Sequence, residues 1–96
     1  MFRHIVLVKW KPEATNAERQ AMRAAIEQLP SQVPEIVAAR VGLNVGNGPN
    51  HYDMATVFDF QDNSSFKRYI ASAAHQAYVQ GPAKAVAQLA VVQHAW

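Results

Sequence analysis

Four stretches of the chain carry the residue types and the spacing of β-strands. Valine, isoleucine and aromatic residues are concentrated in residues 2–10, 36–45, 52–60 and 89–96, and these residues favour extended backbone. In the first three stretches hydrophobic side chains recur at every second position, so each strand presents one face to a core. Apolar residues at helical spacing follow the first and third strands. The predicted order is therefore βαββαβ.

A capping signal marks the start of the first helix. In Thr15–Glu18 the threonine hydroxyl can accept a backbone hydrogen bond while the glutamate side chain reaches back to Thr15. Apolar residues then follow at helical spacing: Met22, Ala25, Ile26 and Leu29. Pro30 and Pro34 lie on either side of the expected end of this helix. A further short helix is expected at Ala83–Gln88, after Gly81 and Pro82 interrupt helical structure.

The second helical segment, Phe66–Tyr78, decides whether the protein has a reactive pocket. In an unbroken helix, His75 follows Phe66 by nine residues and points roughly 180° away from the apolar face that contains Tyr69. A kink or break at residues 71–74 would instead direct Tyr69 and His75 into one space. The sequence leaves both alternatives open.

Together these elements predict one α+β domain spanning residues 1–96: a ferredoxin-like βαββαβ protomer whose antiparallel four-stranded sheet has helices on one face. The helix-free face is expected to carry eight apolar residues: Ile5, Leu7, Val37, Ala39, Val41, Leu43, Ala55 and Val57. Leaving them in water would forfeit on the order of 10 kcal/mol, at roughly 1.5–3 kcal/mol for each large side chain. We therefore expect a homodimer that packs sheet against sheet through this face.

The composition of the chain limits which binding partners and which cellular location we expect. Nine Lys and Arg against seven Asp and Glu give a net charge of +2, and the basic residues form no stripe, so nucleic acid is not expected as a partner. No apolar run approaches the ~20 residues of a membrane span, and the first residues do not form a secretory signal. The chain has no cysteine, which excludes disulfides and thiolate chemistry and agrees with a cytoplasmic location.

An ordered set of short motifs resembles one family over essentially the whole chain. The motifs are Arg3–Lys11, the spacing from Leu29-Pro30 to Val33-Pro34, Val41–Val45, Tyr52-Asp53 entering a strand, and Tyr69 followed by Ala74–Val79. As a set they resemble the stress-responsive dimeric α/β-barrel (Dabb) domain family. The resemblance implies a ferredoxin-like protomer and a barrel formed by two protomers.

The resemblance also implies a site. The best-understood chemistry of the family closes a linear polyketide by aldol condensation without a cofactor, in a pocket between the sheet and the helices. The catalytic tyrosine and histidine of that cyclase align with Tyr69 and His75, and a histidine of its first strand aligns with His4. Met54 stands where the cyclase has a pocket histidine, and Ser72-Ala73 stands where the family often has His-Pro.

A tyrosine–histidine pair is suited to proton transfer at a carbonyl compound. A neutral imidazole with a pKa near 6.5 takes a proton α to the carbonyl, and a phenol O–H stabilises the resulting enolate. We expect His75 as the base, Tyr69 as the polarising donor and His4 as an assisting group in a cofactor-independent cyclase, isomerase or lyase for a small hydrophobic ligand. The expected pocket wall is Val6, Val8, Met54, Phe58, Phe66 and Tyr78.

Competing hypotheses remain, including whether the protein is an enzyme at all. Structural roles at a helix edge, a helix turn and a strand core are the simpler interpretation of Tyr69, His75 and His4, respectively. A cofactor-free monooxygenase is a variant of the enzyme hypothesis. The main rival is a non-catalytic stress-associated dimer that binds a ligand or protects other proteins. A cavity between Tyr69 and His75 would favour the enzyme, and a filled core would favour the module.

A metal site is not expected. The four histidines have no ligand spacing, and zinc needs three or four converging groups. Asp53 and Asp59 lie six residues apart on the same face of the predicted third strand and form a possible site for a hard cation. Salt bridges or solvent exposure are the simpler interpretation of these two carboxylates.

Overall fold

A computed structural model describes residues 1–96 of the protein. Its elements, in chain order, are strand β1 (Phe2–Trp10), helix α1 (Asn16–Gln32), strands β2 (Ile36–Leu43) and β3 (Met54–Phe60), helices α2 (Asn63–Ala71) and α3 (Ala73–Gln80), a 3₁₀ turn (Pro82–Ala85) and strand β4 (Val86–Ala95). None of the helices combines the length and the apolar character needed to cross a bilayer.

The four strands form one antiparallel sheet in the order β2-β3-β1-β4. This arrangement confirms the predicted ferredoxin-like fold, with the second helix divided in two. The main core lies between the sheet and the helices, where strands and α1 supply its largest fully buried side chains: Phe58, Phe60, Met22, Leu29, Met54 and Val8. The sheet and α1 thus form two layers around one core.

Helix α1 begins at the predicted capping box. The Glu18 N–H donates to Thr15 Oγ1 over 3.1 Å, and the Thr15 N–H donates to Glu18 Oε1 over 2.8 Å. The helix does not end at Pro30, which lies in its last turn, and it continues to Gln32. The chain then leaves the helix at Val33, whose N–H still donates to the Leu29 carbonyl over 2.9 Å.

The pairing of β2 corrects the predicted faces of that strand. Ile36 pairs with Phe60 and Ala38 pairs with Asp59, so Val37 is an extra residue that forms a bulge. Because a one-residue shift moves every following side chain to the other face, three residues predicted for the helix-free face lie on the helix-covered face instead: Ala39, Val41 and Leu43.

The helix-free face still has an apolar centre. It contains residues of all four strands, among them Ile5, Leu7, Ala38, Ala55, Val57, Ala90 and Val92. An ion pair lies on the same face, where the Arg3 guanidinium donates two hydrogen bonds to Asp59 over 2.7 and 3.0 Å. Val92 is 59% exposed, so part of this apolar surface is open in the single chain.

Ser72 decides between the two alternatives for the second helical segment in favour of a break. It has the extended angles φ −67° and ψ 150°, ending α2 and starting α3. The Ser72 Oγ–H donates to the Tyr69 carbonyl over 2.7 Å, and the same oxygen accepts from the His75 N–H over 3.2 Å. One hydroxyl therefore satisfies the end of one helix and the start of the next.

The prediction of a helix at Ala83–Gln88 is wrong. Pro82–Ala85 form only a 3₁₀ turn, and β4 begins at Val86, three residues before the predicted start of the strand. The reason is the pairing between β4 and β1, which extends to Trp10 opposite Val86 and keeps this part of the chain in the strand. The pairing register shifts between Lys9 and Trp10.

Replacing the Ser72 hydroxyl tests its role in the helix break. We expect Ser72→Ala to destabilise the protein by about 1 kcal/mol, a decrease in Tm of roughly 4–8 °C, because both helix ends lose a side-chain hydrogen bond. Thermal unfolding followed by circular dichroism measures the change. Ser64→Ala, in the exposed first turn of α2, is the matched control and should unfold like the wild type. Equal Tm values for Ser72→Ala and the wild type would contradict the assignment.

Candidate functional site

A cavity of about 490 Å³ lies between the sheet and the helices. Twelve of the fifteen residues that line it are hydrophobic, and none is Asp, Glu, Lys or Arg. Its walls come from β1, β3, β4 and all three helices. A cavity of this size, apolar with a few polar groups, has the character of a small-molecule site and favours an uncharged ligand.

Seven of the nine residues predicted for the site line this cavity: His4, Val6, Val8, Phe58, Tyr69, His75 and Tyr78. Met54 and Phe66 do not. Met54 is 2% exposed and belongs to the closed core. Phe66 packs against the His4 ring, with ring centroids 4.8 Å apart, so it supports a cavity residue without lining the cavity.

The helix break places the Tyr69 and His75 rings beside each other. Their centroids are 4.8 Å apart with an interplanar angle of 70°. Tyr69 is held on its other sides by Phe58 at 5.9 Å and by Phe60 at 5.4 Å, and Tyr78 lies 6.3 Å from His75. Packing therefore fixes the phenol ring in one position, as an enzyme site requires of a hydrogen-bond donor.

Burial keeps the titratable groups of the cavity neutral. It lowers the pKa of His75, partly offset by a hydrogen bond with the Ile70 backbone. It also lowers the pKa of His4, and the nearby His75 adds to this effect. Burial raises the pKa of Tyr69 and raises the pKa of Tyr78 to about 12. At neutral pH the cavity thus offers unprotonated imidazoles and protonated phenols.

A hydrogen bond from β4 selects the tautomer of His4. Gln93 lies directly opposite His4 in the sheet, and its Nε2 is 3.1 Å from His4 Nδ1. With the Gln93 amide nitrogen on this side, its NH₂ donates, so Nδ1 accepts and Nε2 carries the ring proton. His4 is therefore a neutral hydrogen-bond donor, and His75 is the remaining imidazole for a base.

Sequence reasoning missed several lining residues. Ile26 and Leu29 of α1 line the cavity, as do Val79, Leu89 and Val91, which are 53, 52 and 49% exposed and mark its open side. Helical spacing identifies the α1 residues as core, and only the β1–β4 register shows that the β4 residues face the helices.

Thr56 was also missed as a site residue. It is the polar member of an otherwise apolar face of β3, between Met54 and Phe58. The residue is 5% exposed, lines the cavity, and its Oγ1 has no hydrogen-bond partner. A buried polar residue on an apolar strand face is the signal that identifies such a position from sequence.

The two carboxylates considered for a cation have protein partners. Asp53 Oδ2 accepts from the Trp10 N–H over 2.8 Å, and Asp59 is paired with Arg3. The protein has no group of three or more His, Cys, Asp or Glu residues arranged to hold a metal ion. His51 and His94 do not line the cavity.

The profile of the stress responsive A/B barrel domain family, Dabb, matches residues 2–94. The chain belongs to the Dabb family. This confirms the family predicted from the short motifs. A search of curated proteins found no significant match to the sequence.

Several solved structures share the fold of this Dabb domain. A dimeric ferredoxin-like protein of unknown function from Thermobifida fusca is 28% identical, with a TM-score of 0.87 over 99% of this chain and 90% of that chain. A dimeric ferredoxin-like protein of unknown function from Bacteroides fragilis is 26% identical, with a TM-score of 0.81 over 99% and 95%. The hydroxynitrile lyase of Passiflora edulis is 18% identical, with a TM-score of 0.87 over 97% and 90%, a likeness of fold alone.

The lowered pKa of the cavity histidines predicts a pH dependence of stability. Since unfolded histidine has a pKa near 6.5, protonation favours the unfolded Dabb chain. The stabilisation is complete above about pH 6.5 and is lost as the pH falls through the lowered pKa values. Urea unfolding between pH 7.5 and 5 should show a decreasing free energy of unfolding, and His75→Gln should weaken this decrease.

His51→Gln is the matched control for that measurement, because His51 is exposed and outside the cavity. It should retain the wild-type pH dependence. Glu18, Asp59 and Asp62 also have a lowered pKa, but their ordinary values of 3.8–4.5 place their effect at lower pH. Parallel curves for His75→Gln and the wild type would show that His75 is not held neutral by the fold.

Proposed function

We propose that the protein binds a small, neutral, hydrophobic carbonyl compound in the cavity and catalyses proton transfer at the carbon next to the carbonyl. The main support for this proposal is that His75, Tyr69 and His4 line one largely apolar cavity. The proposed chemistry needs a base and hydrogen-bond donors, and the cavity contains both. The cyclase, isomerase and lyase reactions all share this first step.

The proposed step assigns one role to each group. The unprotonated imidazole of His75 takes the α-proton, and the electron pair of the broken C–H bond moves into the enolate. The Tyr69 O–H donates to the enolate oxygen and keeps its own proton, because burial raises the pKa of the phenol. His4, with its proton on Nε2, is a second neutral donor. The enolate then regains a proton or attacks a second carbonyl within the ligand.

The geometry favours an enzyme over the non-catalytic module. If Tyr69 and His75 had only a structural role, we would expect core side chains to fill the space beside them. Instead the two rings lie 4.8 Å apart at the wall of a cavity of about 490 Å³. The Passiflora hydroxynitrile lyase supports the proposal only in showing that a protein with this fold is a lyase.

Deuterium exchange into acetophenone tests the proton transfer. We expect the wild type in D₂O to accelerate exchange of the methyl protons, measured by ¹H NMR. General bases typically accelerate proton transfer by about 10²–10⁴-fold, and His75→Gln should lose most of this acceleration. Tyr69→Phe should lose about 10²-fold, because the enolate oxygen loses a donor.

His51→Gln is the control and should exchange acetophenone like the wild type. Equal rates for His75→Gln and the wild type would contradict the role of His75. Binding of acetophenone without any exchange would favour the non-catalytic module over the enzyme.

We also propose that the protein is a homodimer joined through the helix-free face of the sheet. The centre of this face is apolar, with Ile5, Leu7 and Val57 on the two central strands. Open apolar surface of this kind is characteristic of protein interfaces. The relatives from Thermobifida fusca and Bacteroides fragilis, 28 and 26% identical, are dimeric, which supports the same assembly for this chain.

A charge at the centre of that face tests the dimer. Leu7→Asp should weaken dimerisation by at least about 100-fold, because its neighbours across the sheet, Ala55 and Ala90, offer no partner to a carboxylate buried between two sheets. Light scattering after size exclusion should give twice the chain mass for the wild type and a single chain mass for the variant. Ile70→Asp, at an exposed position on α2, should remain dimeric. A wild-type protein that is monomeric at micromolar concentration would overturn the proposal.

A further inference from the structure

Tyr78 is a titratable group of the cavity that the proton transfer described above does not use. It lies on α3, three residues after His75, so the two side chains are neighbours on one side of the helix. Both residues line the cavity, and their ring centroids are 6.3 Å apart. The proposed base therefore has a phenol neighbour on α3 in addition to Tyr69 on α2, whose ring centroid is 4.8 Å away.

The hydroxyl of Tyr78 is open to a ligand. Of the three tyrosines, only Tyr52 has a hydroxyl that takes part in a hydrogen bond within the protein. Arg19 Nε and Thr56 Oγ1 are the only side-chain nitrogen or oxygen atoms that are both buried and unpaired, so the unpaired Tyr78 oxygen has accessible surface. Burial nevertheless raises the pKa of this phenol to about 12, which means that the hydroxyl is shielded from bulk water. Because the residue lines the cavity, we infer that the accessible side of the oxygen faces the cavity.

The two phenols of the cavity lie close enough to influence each other. Burial raises the pKa of Tyr69, and the nearby Tyr78 raises it further. This second effect arises because two phenolates would repel each other, and such repulsion decreases with distance. Both phenol rings also lie beside the same imidazole, that of His75. Two protonated phenols next to one base are suited to stabilise an oxyanion that forms when the base takes a proton.

We propose that the Tyr78 hydroxyl is a further catalytic group, which donates a hydrogen bond to the same ligand oxygen as Tyr69. This inference rests on the proposed function and adds a second phenol donor to it. When His75 takes the α-proton, the electron pair of the C–H bond forms the C=C bond, and the π pair of the carbonyl moves to the oxygen. A carbonyl oxygen has two lone pairs and can accept from both phenols, which keep their own protons.

The contact with Tyr78 strengthens as the reaction proceeds. Hydrogen bonds to a charged oxygen are stronger than those to a neutral carbonyl, so the enolate gains more from the second phenol than the bound ketone does. An interaction of this kind raises the rate of the chemical step more than it raises affinity. His4 lies on the sheet wall of the cavity, whereas both phenols lie on the helix wall, so the loss of one phenol can be measured with His4 in place.

Deuterium exchange into acetophenone by Tyr78→Phe tests the inference, since this variant keeps the ring and loses only the hydroxyl. We expect the exchange rate at saturating acetophenone to fall about 10–100-fold, while the Kd for acetophenone changes by less than about fivefold. Tyr52→Phe is the matched control, because Tyr52 does not line the cavity, and it should exchange acetophenone like the wild type. A loss of affinity as large as the loss of rate would contradict a role in the chemical step.

The carbonyl carbon of bound acetophenone gives a second readout. Hydrogen bonds to the oxygen polarise the C=O bond and move the ¹³C resonance of this carbon to higher frequency. With acetophenone labelled at the carbonyl, the wild type should show this shift, and Tyr78→Phe and Tyr69→Phe should each reduce it. The double variant should reduce it further. The Tm of Tyr78→Phe should equal that of the wild type, since the hydroxyl has no partner within the protein.

These results separate the inference from the proposed function. A wild-type rate or a wild-type carbonyl resonance for Tyr78→Phe, with a reduced rate for Tyr69→Phe, would overturn the role of Tyr78 and leave the proposed function standing. A Tm about 4 °C or more below the wild type would mean that the hydroxyl has a structural partner, and would also overturn the inference. If the wild type neither binds acetophenone nor accelerates its exchange, the proposed function and the inference fail together.

Discussion

Ser72 supplies the hydrogen bonds that end one helix and begin the next, and the geometry of the cavity depends on this change of direction. In an unbroken helix, residues six positions apart would point roughly 120° apart around the axis, and Tyr69 and His75 would not share a wall. The Ser72 hydroxyl bonds the Tyr69 carbonyl and the His75 N–H instead. The same atom thus anchors the backbone of Tyr69 and of His75, the proposed donor and base.

The apolar character of the cavity determines the protonation states of Tyr69, His75 and His4. Without a charged neighbour in the lining, burial disfavours the charged form of every titratable group. Imidazoles become available as bases at neutral pH, and phenols remain donors. Lowering the pKa also makes an imidazole a weaker base, so the arrangement trades basic strength for a larger unprotonated fraction. In the proposed reaction, the enolate would depend on Tyr69 and His4 for stabilisation.

The sequence predicted local structure well where the controlling interactions are themselves local. The bounds of β1 and the capping box of α1 depend on neighbouring residues, and both predictions are confirmed. The helix break was left open because Ser72 is compatible with a helix interior as well as with a cap. The faces of β2 were wrong because the alternation around Val37 looks regular, and only pairing with β3 reveals the bulge.

The predictions for the site residues show the same contrast between what the sequence reveals and what only the folded chain reveals. The family resemblance identified Tyr69, His75 and His4, which the structure brings to one cavity. It also identified Met54, which corresponds to a cyclase pocket residue but packs in the closed core here. Gln93 and the lining residues of β4 depend on the register between distant strands. Thr56 was visible as a polar residue on an apolar face, but its unpaired hydroxyl is a property of the assembled core.

The most direct test of the central claim is an isotope-edited nuclear Overhauser measurement on the wild-type protein with acetophenone bound. If the helix break brings a base and a donor to one carbonyl site, the methyl protons of the ligand will show cross-peaks to the ring protons of both His75 and Tyr69. Cross-peaks to exposed surface residues alone, with none to either ring, would contradict the account.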